Sequence, residues 1–306
     1  MNNETLEKVL AYVDTHIQQK IILCDLSEIA GYSPFYFSRL FSEAMGMPVT
    51  GYIRIRKLQH AVASLLEGHK VLDVALLYSF ESHEGFTRSF TQLFGSTPST
   101  VRKFLTSYTV PAYSVPNISN RRIGMEALDT MDLQHNMHQL IFEVLEISLD
   151  EARTGYCTKI GVTLLSGNRV KITDNGRGLP LSKDLHASKA VMDKILAGSP
   201  ITNAEYSQMG DLTQAGLQTV NSLCDALQIT VNRDGNQFQQ DYVRGIAQHD
   251  LRISDAVCTS GTEIIFSPDK AIFGDTLFSE EAVCKWIEAK SADLINLKIN
   301  VHSVDE

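Results

Sequence analysis

The stretch 71-VLDVALLYSFESHEGFTRSFTQLFG-95 reads as a short helix, a turn and a longer helix. Phe86, Phe90 and Phe94 recur at helical spacing and mark the apolar face of the longer one. The same plan stands upstream in 25-DLSEIAGYSPFYFSRLFSEAMG-46, where Phe37, Leu40 and Phe41 are the matching core candidates. Asp25 with Glu28 three residues on has the pattern of a capping box. Gly31 breaks that helix, Ser33-Pro34 restarts the chain as cap and first-turn proline, and Gly46 ends the second helix. A short helix, a turn holding one glycine and a second helix form the helix-turn-helix outline. Residues 51–68 read as a long helix between the two units, and 5–17 as an amphipathic helix before them. The duplication is one of structure, not of sequence.

Working outward, 108–120 carries Pro111, Pro116, serines and asparagines without periodicity and is expected to be a linker between residues 1–107 and 121–306. Beyond it the texture changes. A helix is expected at 132–154, then the alternating strand 158-TKIGVTLL-165, a Ser-Gly-Asn turn and a second strand, 169-RVKITD-174. Helices follow at 186–197 and 215–226, strands near 227–233, 237–243 and 262–267, a helix at 279–293 and a last strand, 297-LKINVH-302. The expected fold class is an all-α double helix-turn-helix domain followed by an α/β two-layer sandwich.

Hydrophobic residues at 43% and charged residues at 21% fit packed cores. Five scattered cysteines, none in a CxxC pair, argue against a disulfide framework or a zinc site. With no apolar leader and no membrane-length apolar run, the expected location is the cytoplasm. Net charge is −9, unevenly spread: residues 1–110 hold ten basic and ten acidic side chains, and the whole excess lies beyond them. One half can face phosphate while the other is repelled by it.

The segment 71-VLDVALLYSFESHEGFTRSFTQLFGSTPSTVRKF-104 resembles the AraC family of transcription regulators, and the resemblance covers about the first hundred residues. Ser79 departs from the glycine usual at that turn. The resemblance implies two reading helices in the major groove of promoter DNA, beginning near Ser33 and Ser82. The candidates are Phe35, Tyr36, Ser38 and Arg39 in the first and His83, Glu84, Thr87 and Arg88 in the second. Arg39 and Arg88 suit guanine or phosphate, Glu84 suits cytosine N4, and Phe35 suits a thymine methyl. Arg54 and Arg56, near the start of the linking helix, suit phosphate or bury their stems against it. Arg88 has a plainer alternative, an ion pair with Glu81 or Glu84.

Residues 121–306 resemble the ATP-binding domain of DNA gyrase B and its topoisomerase IV relative, the GHKL fold. The blocks that carry this are 122-RIGMEALD-129, 141-IFEVLEISLDEARTGYCTKIGVTL-164, 173-TDNGRGLP-180, 186-HASKAVMDKILAG-198, 210-GDLTQAGLQTVNSL-223 and 260-SGTEIIFSPD-269. The resemblance implies that Asp174 and Thr262 hold the amino edge of a planar ring. Glu143 matches the family's general base, Arg177 and Pro180 the pocket floor, and Tyr206 the lid. Val144, Val191 and Gly178 are further candidates, and Gly176 and Gly178 are expected to let a planar ligand approach the backbone. The magnesium-holding asparagine is replaced by Ile147, which offers no oxygen to a hard cation. The lid lysines fall on Pro200 and Ser207, and the phosphate-cradling loop gains Asp211 and Gln214.

These departures lead to an expected one-component regulator, not an enzyme, with no metal and no cofactor. Its pocket would bind a small planar effector, for example an aminocoumarin-type inhibitor of the gyrase ATP site. Alternatives are a regulator responding to ATP or ADP with at most weak ATPase activity, and a vestigial pocket serving dimerisation. Expected partners are double-stranded promoter DNA, the effector, RNA polymerase and a second copy of the chain. Because the chain stops where gyrase B continues, topoisomerase activity is not expected.

Overall fold

The computed structural model describes residues 1–106, 125–197, 215–255 and 259–304. The expected linker, 108–120, lies outside them. The chain forms two compact units: Met1–Leu93 with Thr97–Arg102, and Phe94–Ser96 with Lys103–Glu306.

The first unit is helical. In order it runs α1 (Asn3–Thr15), α2 (Leu23–Ala30), α3 (Pro34–Met45), α4 (Val49–Leu66), α5 (Val71–Leu77), α6 (His83–Phe94) and α7 (Pro98–Thr106). Asn2 caps α1, its Oδ1 accepting from the Thr5 N–H at 2.7 Å. Phe37 and Phe41 on α3 and Phe86, Phe90 and Phe94 on α6 are fully buried, so both aromatic series face inward. Leu40 is only half-buried.

Three expectations change here. The capping box is shifted: α2 begins before Asp25, whose carboxylate accepts from the Ile22 N–H at 3.5 Å from within the first turn. Ser79 takes the left-handed conformation at φ 60°, as Gly31 does at φ 70° in the first unit's turn. That geometry costs a residue with a side chain about 1 kcal/mol, and the Ser79 hydroxyl donates to the Gln18 carbonyl at 3.1 Å. Arg56 is not available to phosphate. It is 0% exposed, its Nε donates to Asp14 Oδ1 at 2.8 Å and its Nη1 to Gln59 Oε1 at 2.7 Å. A charge buried this completely is held by its partners, and DNA cannot reach it.

The second unit is α/β. It contains α8 (Met125–Arg153), β1 (Lys159–Leu165), a 3-10 turn (Ser166–Asn168), β2 (Arg169–Asp174), α9 (Leu185–Ala197), α10 (Ala215–Leu223), β3 (Cys224–Arg233) and β4 (Asn236–Val243). Then follow β5 (Ile246–Ala247), β6 (Arg252–Asp255), β7 (Gly261–Pro268), α11 (Lys270–Phe273), α12 (Glu280–Ser291) and β8 (Lys298–Ser303). The strands form one sheet in the order β5-β4-β3-β7-β2-β1-β8, with β6 also paired to β4. All its pairings are antiparallel except β1 with β8. Helices α8, α10 and α12 contact the sheet through β2, β3 and β8 respectively. Along β1, β2 and β7 the buried residues alternate (Ile160 and Val162, Val170 and Ile172, Ile264 and Phe266), as a half-buried sheet requires. Phe142 of α8 stacks flat on Trp286 of α12 at 4.5 Å.

The expected helix 215–226 stops at Leu223, and β3 starts at Cys224 with a register shift before Ala226. Strands β5 and β6 were not foreseen. Their two- and four-residue lengths are too short to show a period.

Candidate functional site

On the helical unit the two candidate reading helices present different surfaces. At the start of α3, Phe35 is 84% exposed and Tyr36 42%. The Arg39 guanidinium lies 5.2 Å from the Tyr36 ring and 3.8 Å from Glu43, a loose pairing that leaves it available. Ser38 is half-buried. On α6, His83, Glu84, Thr87 and Arg88 line one open groove with Thr91 and Gln92. Arg88 is exposed and makes no ion pair among the described residues, so the alternative pairing with Glu81 or Glu84 is not formed. The Thr87 hydroxyl is buried. Arg54 of α4 borders a hollow shared with Ser89, Gln92 and Leu93 of α6.

In the α/β unit the chemistry gathers where β2 ends. Asn175 pins the chain there: its Oδ1 accepts from the Thr158 and Lys159 N–H groups at 2.9 and 2.8 Å. That clamp fixes the turn on which Asp174 sits. One Asp174 oxygen accepts from the Gly176 N–H at 2.9 Å and the Thr262 N–H at 3.2 Å; the other accepts from the Ser148 hydroxyl at 2.9 Å. Burial pushes the Asp174 carboxyl up, and the three hydrogen bonds pull against it. Thr262 is 7% exposed at the start of β7. Asp174 and Thr262 are therefore adjacent, as expected, and Ser148 is a third member that the sequence pattern did not single out.

Arg177 is oriented by a residue also missed. Its Nη2 donates to Glu151 Oε1 at 2.8 Å, its Nε to Glu151 Oε2 at 3.2 Å, and its backbone N–H to the same Oε2 at 3.0 Å. The guanidinium lies 3.6 Å from the centre of the half-exposed Tyr156 ring. The DEA triplet at 150–152, inside the block that carried the gyrase resemblance, was the available signal.

The two glycines serve the protein, not a ligand. A Cβ at Gly176 would meet Glu151 Oε2 at 3.0 Å and Asp174 Oδ1 at 3.1 Å. One at Gly178, at φ 74°, would meet the Asn232 carbonyl at 2.9 Å. The space beside both is already filled, which corrects the expectation of backbone access for a planar ring.

Glu143 is 6% exposed on α8. Burial, and then the nearby Glu146, push its carboxyl up to about 8, against the pull of Lys290. Ile147 stands one helical turn further on, half-buried. Val144 is 1% exposed and packed inside, while Val191 and Pro180 are half-buried. Tyr206, Pro200, Ser207, Asp211 and Gln214 lie outside the described residues.

Residues 26–103 match the family model for a helix-turn-helix domain. The chain joins an AraC-type helix-turn-helix region to a gyrase B-like domain. DNA gyrase B of Borrelia hermsii is 33% identical over 175 residues, covering 56% of this chain and 27% of that protein. The chloroplastic/mitochondrial DNA gyrase B of Oryza sativa subsp. japonica is 39% identical over 151 residues, 46% of this chain and 21% of its own length. The gyrase B counterpart in DNA topoisomerase 4 of Bartonella bacilliformis is 32% identical over 203 residues, 61% and 29% of the two chains. The chain thus spans roughly a quarter of the length of these relatives. Among solved structures, the 43K ATPase domain of Thermus thermophilus gyrase B in complex with an aminocoumarin is 26% identical, with a TM-score of 0.47, over 55% of this chain and 43% of that one. Among the described residues no helix is long and apolar enough to cross a membrane.

Proposed function

We propose that this protein is a transcription regulator that reads promoter DNA through α3 and α6 and binds a small planar effector at Asp174, without a triphosphate. One contrast carries the reading. Asp174 is held by Ser148, Gly176 and Thr262 as a buried acceptor for a ring-edge donor, while the neighbouring helix offers Ile147 where the gyrase pattern has a metal ligand. A magnesium-bound phosphate tail needs oxygen donors, and an isoleucine supplies none. The residues present do not fit the metal, so no step is routed through it. Glu143, pushed up to about 8, holds its own proton at neutral pH and cannot readily take one from water. The unit is read as a sensor that does not hydrolyse nucleotide, and inhibitors of the gyrase ATP site, aminocoumarins included, are the leading effector class.

Ligand binding can shift DNA affinity only by the ligand's differential affinity for the two conformations. Titration calorimetry with an aminocoumarin and with a magnesium-bound ATP analogue tests the reading. Heat from the first, abolished by Asp174→Asn, is the expected result. Tight binding of the magnesium-ATP analogue alone would replace it with a nucleotide-responsive regulator.

A further inference from the structure

One helical turn before Glu143 on α8 stands Gln139, and one turn after it Ile147, so the three share a stripe. Gln139 is 0% exposed, and neither its Oε1 nor its Nε2 has a hydrogen-bond partner among the described residues. A buried amide with nothing on either end is costly, and such groups persist where something else satisfies them. Glu143 lies beside it, and Gly216 of α10 faces it so closely that an added Cβ would overlap Glu143 Oε2. The position opposite the carboxyl is thus kept free of a side chain.

The charges around the stripe do not favour an anion. Lys290 reaches toward it from α12 but sits 3.4 Å from Glu146 Oε1, and Glu146 also pairs with Arg153 at 2.9 Å. The positive charge nearby is already matched. The polar groups that remain are an amide and a carboxyl, both able to donate and accept when the carboxyl keeps its proton.

We infer that the stripe of Gln139, Glu143 and Ile147, faced by Gly216, is a subsite for an uncharged hydrogen-bonding group of the carboxamide class on the effector. The inference rests on the reading of Asp174 as the ring anchor and extends it to the other end of the ligand. A carboxamide presents one acceptor and two donors in a plane and can pair with the Gln139 amide in both directions. A carboxylate can accept but not donate, and would leave the Gln139 Oε1 unpaired.

The test uses two adenosine derivatives of equal length, one ending in a 5′-carbonyl-glycinamide and the other in a 5′-carbonyl-glycine, titrated into the full-length protein. The glycinamide compound should bind on the order of tenfold more tightly. Gln139→Leu should bring the two affinities together and raise the melting temperature of the ligand-free protein, because it removes unpaired polar atoms. Glu143→Gln, which keeps an uncharged hydrogen-bonding group, should preserve the preference. Equal affinities in the unaltered protein overturn the subsite and favour a permanently held water at Gln139. If neither compound binds, the Asp174 ring anchor has failed; the ligand-free arm then decides the subsite, a lower melting temperature for Gln139→Leu overturning it and a higher one upholding it.

Discussion

Arg177 closes a two-pronged ion pair on Glu151, with Nη2 to Oε1 at 2.8 Å and Nε to Oε2 at 3.2 Å, and the same carboxylate also takes the Arg177 backbone N–H. Glu151 is 5% exposed, so one buried carboxylate fixes both the side chain and the loop that follows Asp174. Glu151→Ala should destabilise the α/β unit by about 2–4 kcal/mol, since it strands a guanidinium that is only partly solvated. Urea denaturation followed by tryptophan fluorescence reads this through Trp286; a loss below about 0.5 kcal/mol would mean the pair is not formed in solution.

Arg56 gives a second prediction, in the opposite sense from its first reading. Arg56→Ala leaves Asp14 facing an empty buried site and should cost about 3–5 kcal/mol of stability in the helical unit. Arg56→Met, which fills the space without a charge, should cost less. Affinity for operator DNA, normalised to folded protein, should not change with Met. A selective loss of DNA binding at unchanged stability would restore Arg56 to the interface.

Arg39 and Arg88 should behave as readers. Each Ala variant is expected to weaken operator binding by about 1–3 kcal/mol without loss of fold. Gel-shift titrations at several salt concentrations separate base from phosphate contact: a phosphate contact lowers the salt slope by about one and weakens all sequences alike. Two variants indistinguishable from the unaltered protein would move the interface off α3 and α6.

Glu143 should make the α/β unit pH-sensitive. Its carboxyl titrates near 4.5 in an unfolded chain and is pushed up to about 8 in the folded one. The folded state therefore holds the proton more tightly, so the contribution is intact below about pH 4.5 and is lost as pH rises to about 8. Glu143→Gln cannot ionise and should gain on the unaltered protein across that window, by on the order of 3 kcal/mol at its upper end. Parallel denaturation curves at pH 5 and pH 8 check this; an unchanged difference between the two proteins would show that Glu143 is solvated.

Much of this was legible because it is local. Gly31 and Ser33-Pro34 punctuate the chain within a few residues, and the phenylalanines at 37, 41, 86, 90 and 94 repeat at the period of the helix they bury. Asp174 and Thr262 were paired through a collinear pattern, and the register Val231↔Thr262 beside β2 explains their meeting. Arg56 was misplaced because its partner, Asp14, lies on another helix, and periodicity says nothing about which helix covers which face. Glu151, Ser148 and Gln139 share α8 with Glu143, where spacing alone could not separate residues serving the loop from residues facing a ligand. The roles of Gly176 and Gly178 emerged only when Glu151 and Asn232 were found in the space a Cβ would need.

The parallel pairing of β1 with β8, in register from Lys159↔Lys298 to Leu164↔Ser303, joins the first strand of the sheet to the last. Closing that pair means bringing together positions separated by nearly the whole unit, an entropic barrier the helical unit's near-neighbour contacts do not face. On a ribosome the DNA-reading helices can settle while the sheet still lacks its final strand. Newly made molecules would then pass through an interval of competence for DNA before competence for effector, and the rate of β8 docking would set its length.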